Sequence, residues 1–454
     1  MTEPVVAERF EEREAGLKRE LSVRLLGMIA IGQSIGTGLF LGSGISVQMA
    51  GPGVVLSYVI GGLITYLVML ALSEMTAAHP MAGSFGAYAE HYLGPWAGLV
   101  TRYTYSMAQI IAIGGQIVAA AIYCRYWLPA TPSWIWIVGF SLLLLVVNVM
   151  SVGSFGESEY WFSLIKVLAI CFLLVFGVVL FAGIGVRRQG LEAYTAYGGF
   201  LPHGISGVWA AVTMAVFSFY GLEAAAVGSG ETKDPKTSVP RALRRIMVRL
   251  SLFYIGSMTI LVGIVPWNQT GISESPFVLV YRKIGIPGAA GLMNLVVLTA
   301  ALTSINANLY TASRMLFSLA RSGQAPMLLG RLSSRGVPRN AVLISGAGLG
   351  IAALIYQLFA DTAYVYLLGV SLFGAIFCWL IILATHVRFR NAGMPYGSLA
   401  GICILLAVLV TMAFLPAMRV AWLAGPPWLL LISAVYYFKS NDKIRSEENG
   451  TRLR

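Results

Sequence analysis

The stretch MIAIGQSIGTGLFLGSG, Met28 to Gly44, sets glycines at 32, 36, 38, 42 and 44 around polar Gln33, Ser34 and Thr37 in an otherwise apolar run. Glycine costs about 1 kcal/mol per residue in a helix, so this cluster marks either close packing or a break. Gly32 with Gly36, and Gly38 with Gly42, have the small-xxx-small spacing that lets two helix backbones approach. A break at Gly36, Thr37 and Gly38 would instead point N–H groups, at the start of the following half-helix, toward an anion such as a carboxylate. A second stretch, AVFSFYGLEAAAVGSGE from Ala215 to Glu231, repeats the theme of glycine beside polar and aromatic residues. Carbonyls of Phe217 and Tyr220 freed by a break there could receive an ammonium group. One broken helix offering donors and another offering acceptors form a complementary site for a zwitterion, and nothing in that arrangement reads the zwitterion's side chain.

Two ionisable residues fall within these apolar surroundings. Glu223 lies in the second stretch, and a carboxylate at the bilayer centre costs about 2.5 to 3.5 kcal/mol on insertion scales. It is either buried against a neighbouring helix for packing specificity or functional. Lys166, in YWFSLIKVLAICF, sits two turns after Glu159 on nearly the same face. It is either a proton carrier or a lysine that snorkels to the membrane edge. The segment GSGETKDPKTSVPRALRR, Gly228 to Arg245, mixes acids and bases as a cytoplasmic gate or an ordinary solvated loop would. Glu74 and Pro80 carry the same two readings.

These residues need elements that cross a bilayer. Apolar residues make up 57% of the 454 and glycine adds 50 more, far above the roughly 45 to 50% usual for soluble domains. No Asp, Glu, Lys or Arg occurs from Leu25 to Ser73, Tyr126 to Gly156, Ile284 to Ser313 or Asn391 to Met418. A hydrocarbon core about 30 Å thick takes about 20 residues per helix, so each gap holds one or two crossings. The runs are too long and continuous for barrel strands. The pattern predicts an all-α integral membrane protein with 12 transmembrane helices, at about 25–45, 54–73, 98–124, 133–152, 161–183, 207–229, 250–266, 287–311, 341–359, 363–385, 399–416 and 421–438. With both termini cytoplasmic, 23 Lys and Arg lie inside and six outside, which fixes the orientation.

The net charge of +12 is therefore spread over short loops beside anionic lipid and does not point to nucleic acid. Residues 1–21 form a charged cytoplasmic segment without the features of a cleaved signal, 22–438 a single transporter domain, and 439–454 a cytoplasmic tail. Loops of about 20 to 30 residues are too short for a core of their own. The four cysteines, Cys124, Cys171, Cys378 and Cys403, show no paired spacing and are expected as free thiols. The histidines, His79, His91, His203 and His386, stand apart, so no metal site is expected. No constellation of nucleophile, base and orienter is visible, and no enzyme is expected.

The chain resembles the amino acid permeases of the amino acid transporter family, within the amino acid, polyamine and organocation superfamily. The likeness runs from about Leu25 to Lys439. It rests on SIGTGLFLGSG at 34–44, FSFYGLE at 217–223, GETKDPKTSVPRA at 230–242, PWNQ at 266–269, SPFV at 275–278 and LTAALTSINANLYTASRMLFSLARSGQAP at 298–326. The resemblance implies a five-plus-five inverted repeat (LeuT-like), with helices 1–5 at about 22–183, helices 6–10 at about 207–386, peripheral helices 11–12 at about 399–438, and discontinuous helices 1 and 6. It implies secondary transport of an amino acid in the cell membrane, with no cofactor beyond the proton gradient. Carried onto this sequence, the carboxylate meets Gly36, Thr37 and Gly38, and the ammonium meets main-chain oxygens of Ser34, Phe217 and Tyr220, with Ser218 in the same motif. Phe217 stands where relatives place an aromatic that closes over substrate. Lys166 falls where proton-coupled relatives put an amine, and Glu223 joins it as a coupling candidate. Gln116 departs from the pattern by replacing a third-helix carboxylate, which disfavours a cationic side chain. The expectation is proton-coupled uptake of a neutral amino acid, with exchange of amino acids or amines as the runner-up and a non-transporting membrane sensor as the reading from another class.

Overall fold

A computed structural model describes residues 23–79, 84–150, 155–183, 192–227, 235–333, 336–390 and 394–452. The N-terminal segment 1–21, Pro80, the start of the 228–245 segment and the side chains of Glu157 and Glu159 lie outside the described residues. Among the described residues every regular element is helical. In chain order they are α1 (Val23–Ser34), a π-helical turn (Gly38–Gly42), α2 (Ser43–Ala50), α3 (Val54–Ala78), α4 (Ser84–Tyr92), α5 (Pro95–Cys124), α6 (Ser133–Met150), α7 (Phe155–Ala182), α8 (Gly204–Phe219), α9 (Ala224–Val227), α10 (Pro235–Ile264), α11 (Pro276–Ile284), α12 (Ala289–Arg321), α13 (Arg339–Ser345), α14 (Ala347–Leu358), α15 (Ala363–Phe389), α16 (Tyr396–Phe414) and α17 (Arg419–Arg452).

Ten helical stretches among the described residues are long and apolar enough to cross a membrane. The first, Ala30–Ala78, has 49 residues, more than twice the ~20 that one crossing needs, and the Gly51–Gly53 turn divides it. Ser133–Asn148 is a shorter apolar helix. Burial separates a centre from a rim. The most apolar windows of Pro95–Cys124 and Gly204–Val227 are each 78% buried, whereas that of Pro416–Phe438 is 22% buried. The buried helices are those with small and polar residues in their middles; α17 and α16 turn Leu and Phe outward, as a lipid-facing surface requires.

The centre is built by α5 against α12 and α15, by α3 against α10 and α8, and by α2 against α8. Ion pairs tie helix ends at one face. Arg102 bonds to Glu90 at 2.6 Å and to Gln324 Oε1 at 3.1 Å, linking α5 to α4 and to the end of α12. Glu74 closes α3 by accepting from Arg390 Nε at 3.0 Å and by meeting His386 Nε2 at 3.0 Å, so it joins α3 to α15.

Candidate substrate site

Helix α1 stops at Ser34. Ile35 still donates to the Ile31 carbonyl at 2.8 Å, but the Gly36 N–H turns back to the Ser34 carbonyl at 2.9 Å, and helical geometry resumes at Thr37. The bend therefore lies at Ile35 and Gly36, slightly ahead of the 36–38 span read from the glycines. The second break falls in the FSFYGLE motif. Helix α8 ends at Phe219, Tyr220 is extended (ψ 139°), Gly221 adopts φ 106°, and helix returns at Ala224. A positive φ of that size is available to glycine at little cost and to other residues only with strain.

The two breaks pack directly on each other. A Cβ on Gly38 would lie 3.1 Å from both Phe217 Cδ1 and Ser218 Cα, and one on Gly221 would lie 2.8 Å from Gln33 Cγ. A Cβ on Gly36 would sit 2.8 Å from Ser304 Oγ of α12. The packing and the break readings of the glycine cluster are thus both realised, in neighbouring residues.

The first break is held by side chains from four other helices and the second by side chains from three. At the first, Tyr254 of α10 donates to the Ser34 carbonyl at 2.9 Å, while Lys166 Nζ of α7 (2.6 Å) and Ser304 Oγ of α12 (3.0 Å) donate to the Gly32 carbonyl. Lys166 is 1% exposed, which removes the snorkelling alternative. At the second, Tyr58 of α3 meets Ser218 Oγ at 3.0 Å, and Glu223 accepts from Tyr105 of α5 at 3.1 Å and from Trp379 Nε1 of α15 at 3.3 Å. Both Glu223 oxygens also lie 3.2 Å from the Gly221 N–H, so the carboxylate braces the very turn that interrupts its helix. Tyr364 of α15 adds a bond to the Thr37 carbonyl at 2.9 Å.

Of the residues read from sequence, Ser34, Gly36, Thr37, Gly38, Phe217, Tyr220, Lys166 and Glu223 all lie in or against the two breaks. Ser34 Oγ and Tyr220 Oη are buried and have no hydrogen-bond partner among the described residues. Phe217 tilts over Tyr220 with ring centroids 6.3 Å apart, and its carbonyl accepts the Tyr220 N–H at 3.1 Å. Ser218 sits differently: its hydroxyl is taken up by Tyr58 and, at 3.0 Å, by the Met214 carbonyl.

Gln33 and Gln116, both noted in the sequence, join Gln109, Thr311 and Asn308, which the sequence does not single out as site residues, in amide contacts. Gln33 Nε2 donates to Gln109 Oε1 at 3.2 Å and Thr311 Oγ1 at 3.4 Å, and Asn308 Nδ2 donates to Gln116 Oε1 at 3.3 Å. Ser304, Asn308 and Thr311 recur at i, i+4 and i+7, a polar stripe within an apolar helix that would have marked the inward face of α12. No group of three or more His, Cys, Asp or Glu side chains fit to hold a metal occurs among the described residues, and Cys124, Cys171, Cys378 and Cys403 are free thiols.

Comparison with known proteins then identifies the family. The amino acid permease family model matches residues 26–449, a range that contains both breaks. This chain belongs to the amino acid permease family. It is 36% identical to the uncharacterized amino acid permease YtnA of Bacillus subtilis strain 168, over 97% of this chain and 100% of that protein. It is 36% identical to the aromatic amino acid transport protein AroP of Escherichia coli K12, over 93% of this chain and 96% of that one. It is 39% identical to a gamma-aminobutyric acid permease of B. subtilis strain 168, over 90% and 91%. An amino acid permease is a multi-pass membrane transporter of small amino acid substrates, not an enzyme, and this permease has the apolar helices for that role.

Proposed function

We propose that this permease takes up a neutral amino acid together with a proton, by alternating access to a site between its two helix breaks, across the cell membrane. The observation that carries the reading is the mutual packing of the breaks, with Lys166 on one and Glu223 on the other. The outer half of the first broken helix starts at Thr37 and Gly38, where a helix N-terminus favours a carboxylate. Across from it, the main chain at Phe217 to Tyr220 leaves its helix beside the unpartnered Tyr220 hydroxyl and supplies oxygens for an ammonium. An aromatic amino acid and gamma-aminobutyric acid, the substrate names that two relatives carry, share one carboxylate and one ammonium. The uncharged Gln116–Asn308 pair suits such a substrate better than one with an extra positive charge.

Twelve crossings follow if Ala30–Ala78 counts as two and α6 spans despite its shorter apolar run. The first crossing is then α1 with the π turn and α2, the sixth is α8 with α9, and both termini are cytoplasmic. Counted this way, the first break is held from crossings seven, five and eight (Tyr254, Lys166, Ser304). The sixth is held from crossings two, ten and three (Tyr58, Trp379, Tyr105). Exchanging 1–5 with 6–10 maps each of these six ties onto a counterpart, which supports the five-plus-five inverted repeat, whereas the Tyr364 bond from crossing ten to Thr37 has none among the described residues.

In this scheme protonated Lys166 fastens the Gly32 carbonyl through a charge-assisted bond. Loss of that proton weakens the bond and frees the first break to move. One proton carried with a zwitterion gains about 2.3 kcal/mol per 100 mV, enough for about fifty-fold accumulation. In proteoliposomes under an imposed pH gradient, Lys166→Ala is expected to lose uphill uptake while preloaded vesicles still exchange. Wild-type accumulation by that variant would remove Lys166 from the mechanism.

A further inference from the structure

A cavity of ≈ 640 Å³ opens away from the helix breaks, walled by the ends of α5, α11, α12 and α14 and by their loops. That is within the range of small-molecule pockets, about 300 to 1,000 Å³. All three loops that reach it, at 125–129, 272–274 and 360–361, lie on the outer face in the topology proposed above, so the inference rests on that reading. Its wall carries both signs of charge: Arg125 and Arg282 against Glu274 and Asp361. Arg282 and Glu274 already satisfy each other, with Nη1 to Oε1 at 2.8 Å. Arg125 and Asp361 are exposed and have no ion-pair partner among the described residues. Tyr123, 1% exposed, also lines the cavity, and Asn294 Nδ2 fixes its backbone by donating to the Tyr123 carbonyl at 2.8 Å.

We propose that this vestibule is an outer capture site for a zwitterionic amino acid, with Arg125 taking the carboxylate and Asp361 the ammonium. It concentrates substrate at the mouth before the helix breaks receive it. Opposed free charges at a cavity rim also steer a dipolar ligand, an effect that salt screens.

The test is sided transport by the full chain in proteoliposomes of fixed orientation, with tritiated L-phenylalanine and, in parallel, tritiated gamma-aminobutyric acid. The paired substitution Arg125→Gln and Asp361→Asn is expected to raise the half-saturating concentration for uptake about ten-fold and to leave that for efflux unchanged. The charge-conserving pair Arg125→Lys and Asp361→Glu is expected to recover most of the loss, as a merely structural role would not require. An equal rise in both directions, or none in either, overturns the proposal. Lys166→Ala separates the two readings, because loss of proton coupling there leaves the sided shift intact.

Discussion

At Gly36 the tolerance for a side chain is set by one atom, Ser304 Oγ, 2.8 Å from where an alanine Cβ would sit. That oxygen also donates to the Gly32 carbonyl, so pushing it aside would loosen the first break as well as crowd it. Gly36→Ala is expected to cut transport at least ten-fold, or about 1.4 kcal/mol in the barrier. Replacing Ser304 by Gly in the same chain should restore part of the rate, measured as initial uptake normalised to protein in the membrane. A double variant as inactive as the single one would mean that the glycine serves something other than this contact. Glu223 illustrates the opposite case, a residue with many partners: Tyr105, Trp379 and the Gly221 N–H surround a fully buried carboxylate. Such a group is structurally satisfied, as the packing reading of the sequence expects, and the coupling role remains a proposal beside it.

Among elements, the breaks themselves were legible because glycine weakens a helix and polar side chains in mid-span cost free energy in lipid, so an apolar run that keeps both signals an interruption. What holds them was not. Tyr58 and Tyr254 sit in long apolar runs where an aromatic residue gives no signal by composition, and only the packing of α3 and α10 brings their hydroxyls to Ser218 and to the Ser34 carbonyl. Gln33, Gln109 and Thr311 likewise meet from three separate helices, a conjunction that no local pattern encodes. Lys166 was ambiguous for the same reason: its acceptor, the Gly32 carbonyl, belongs to a helix 134 residues away in sequence. The equivalence of the ties yields an expectation of its own. Tyr58→Phe and Tyr254→Phe each delete one hydroxyl bond, worth on average about 0.6 kcal/mol between helices in a membrane. If the two halves are related as proposed, the substitutions should slow transport to similar extents. A large loss from one and none from the other, in the same uptake assay, would argue against the relation.

For the molecule as a whole, the all-helical, membrane-crossing class followed from charge-free runs, and the described residues and the family agree with it. The count of crossings is harder to read from helices alone, since Ala30–Ala78 merges two sequence-predicted spans into one stretch and α6 is short in apolar length. The transporter assignment rests on six motifs acting together, and matched relatives cover nearly the whole chain. In the proposed reading the preferred amino acid depends on side chains of α5 and α12, among them Gln116 and Asn308, which bond to each other. In the proposed function Thr37 and Gly38 hold one end of a zwitterion while the main chain at Phe217 to Tyr220 holds the other. The most direct measurement is an experimental structure of the purified permease with a transported amino acid bound. The ligand is expected between the two breaks, its carboxylate on the N–H groups of Thr37 and Gly38 and its ammonium on the carbonyls of Phe217 and Tyr220. Both segments found as continuous helices, or a transported ligand that touches neither, would contradict it.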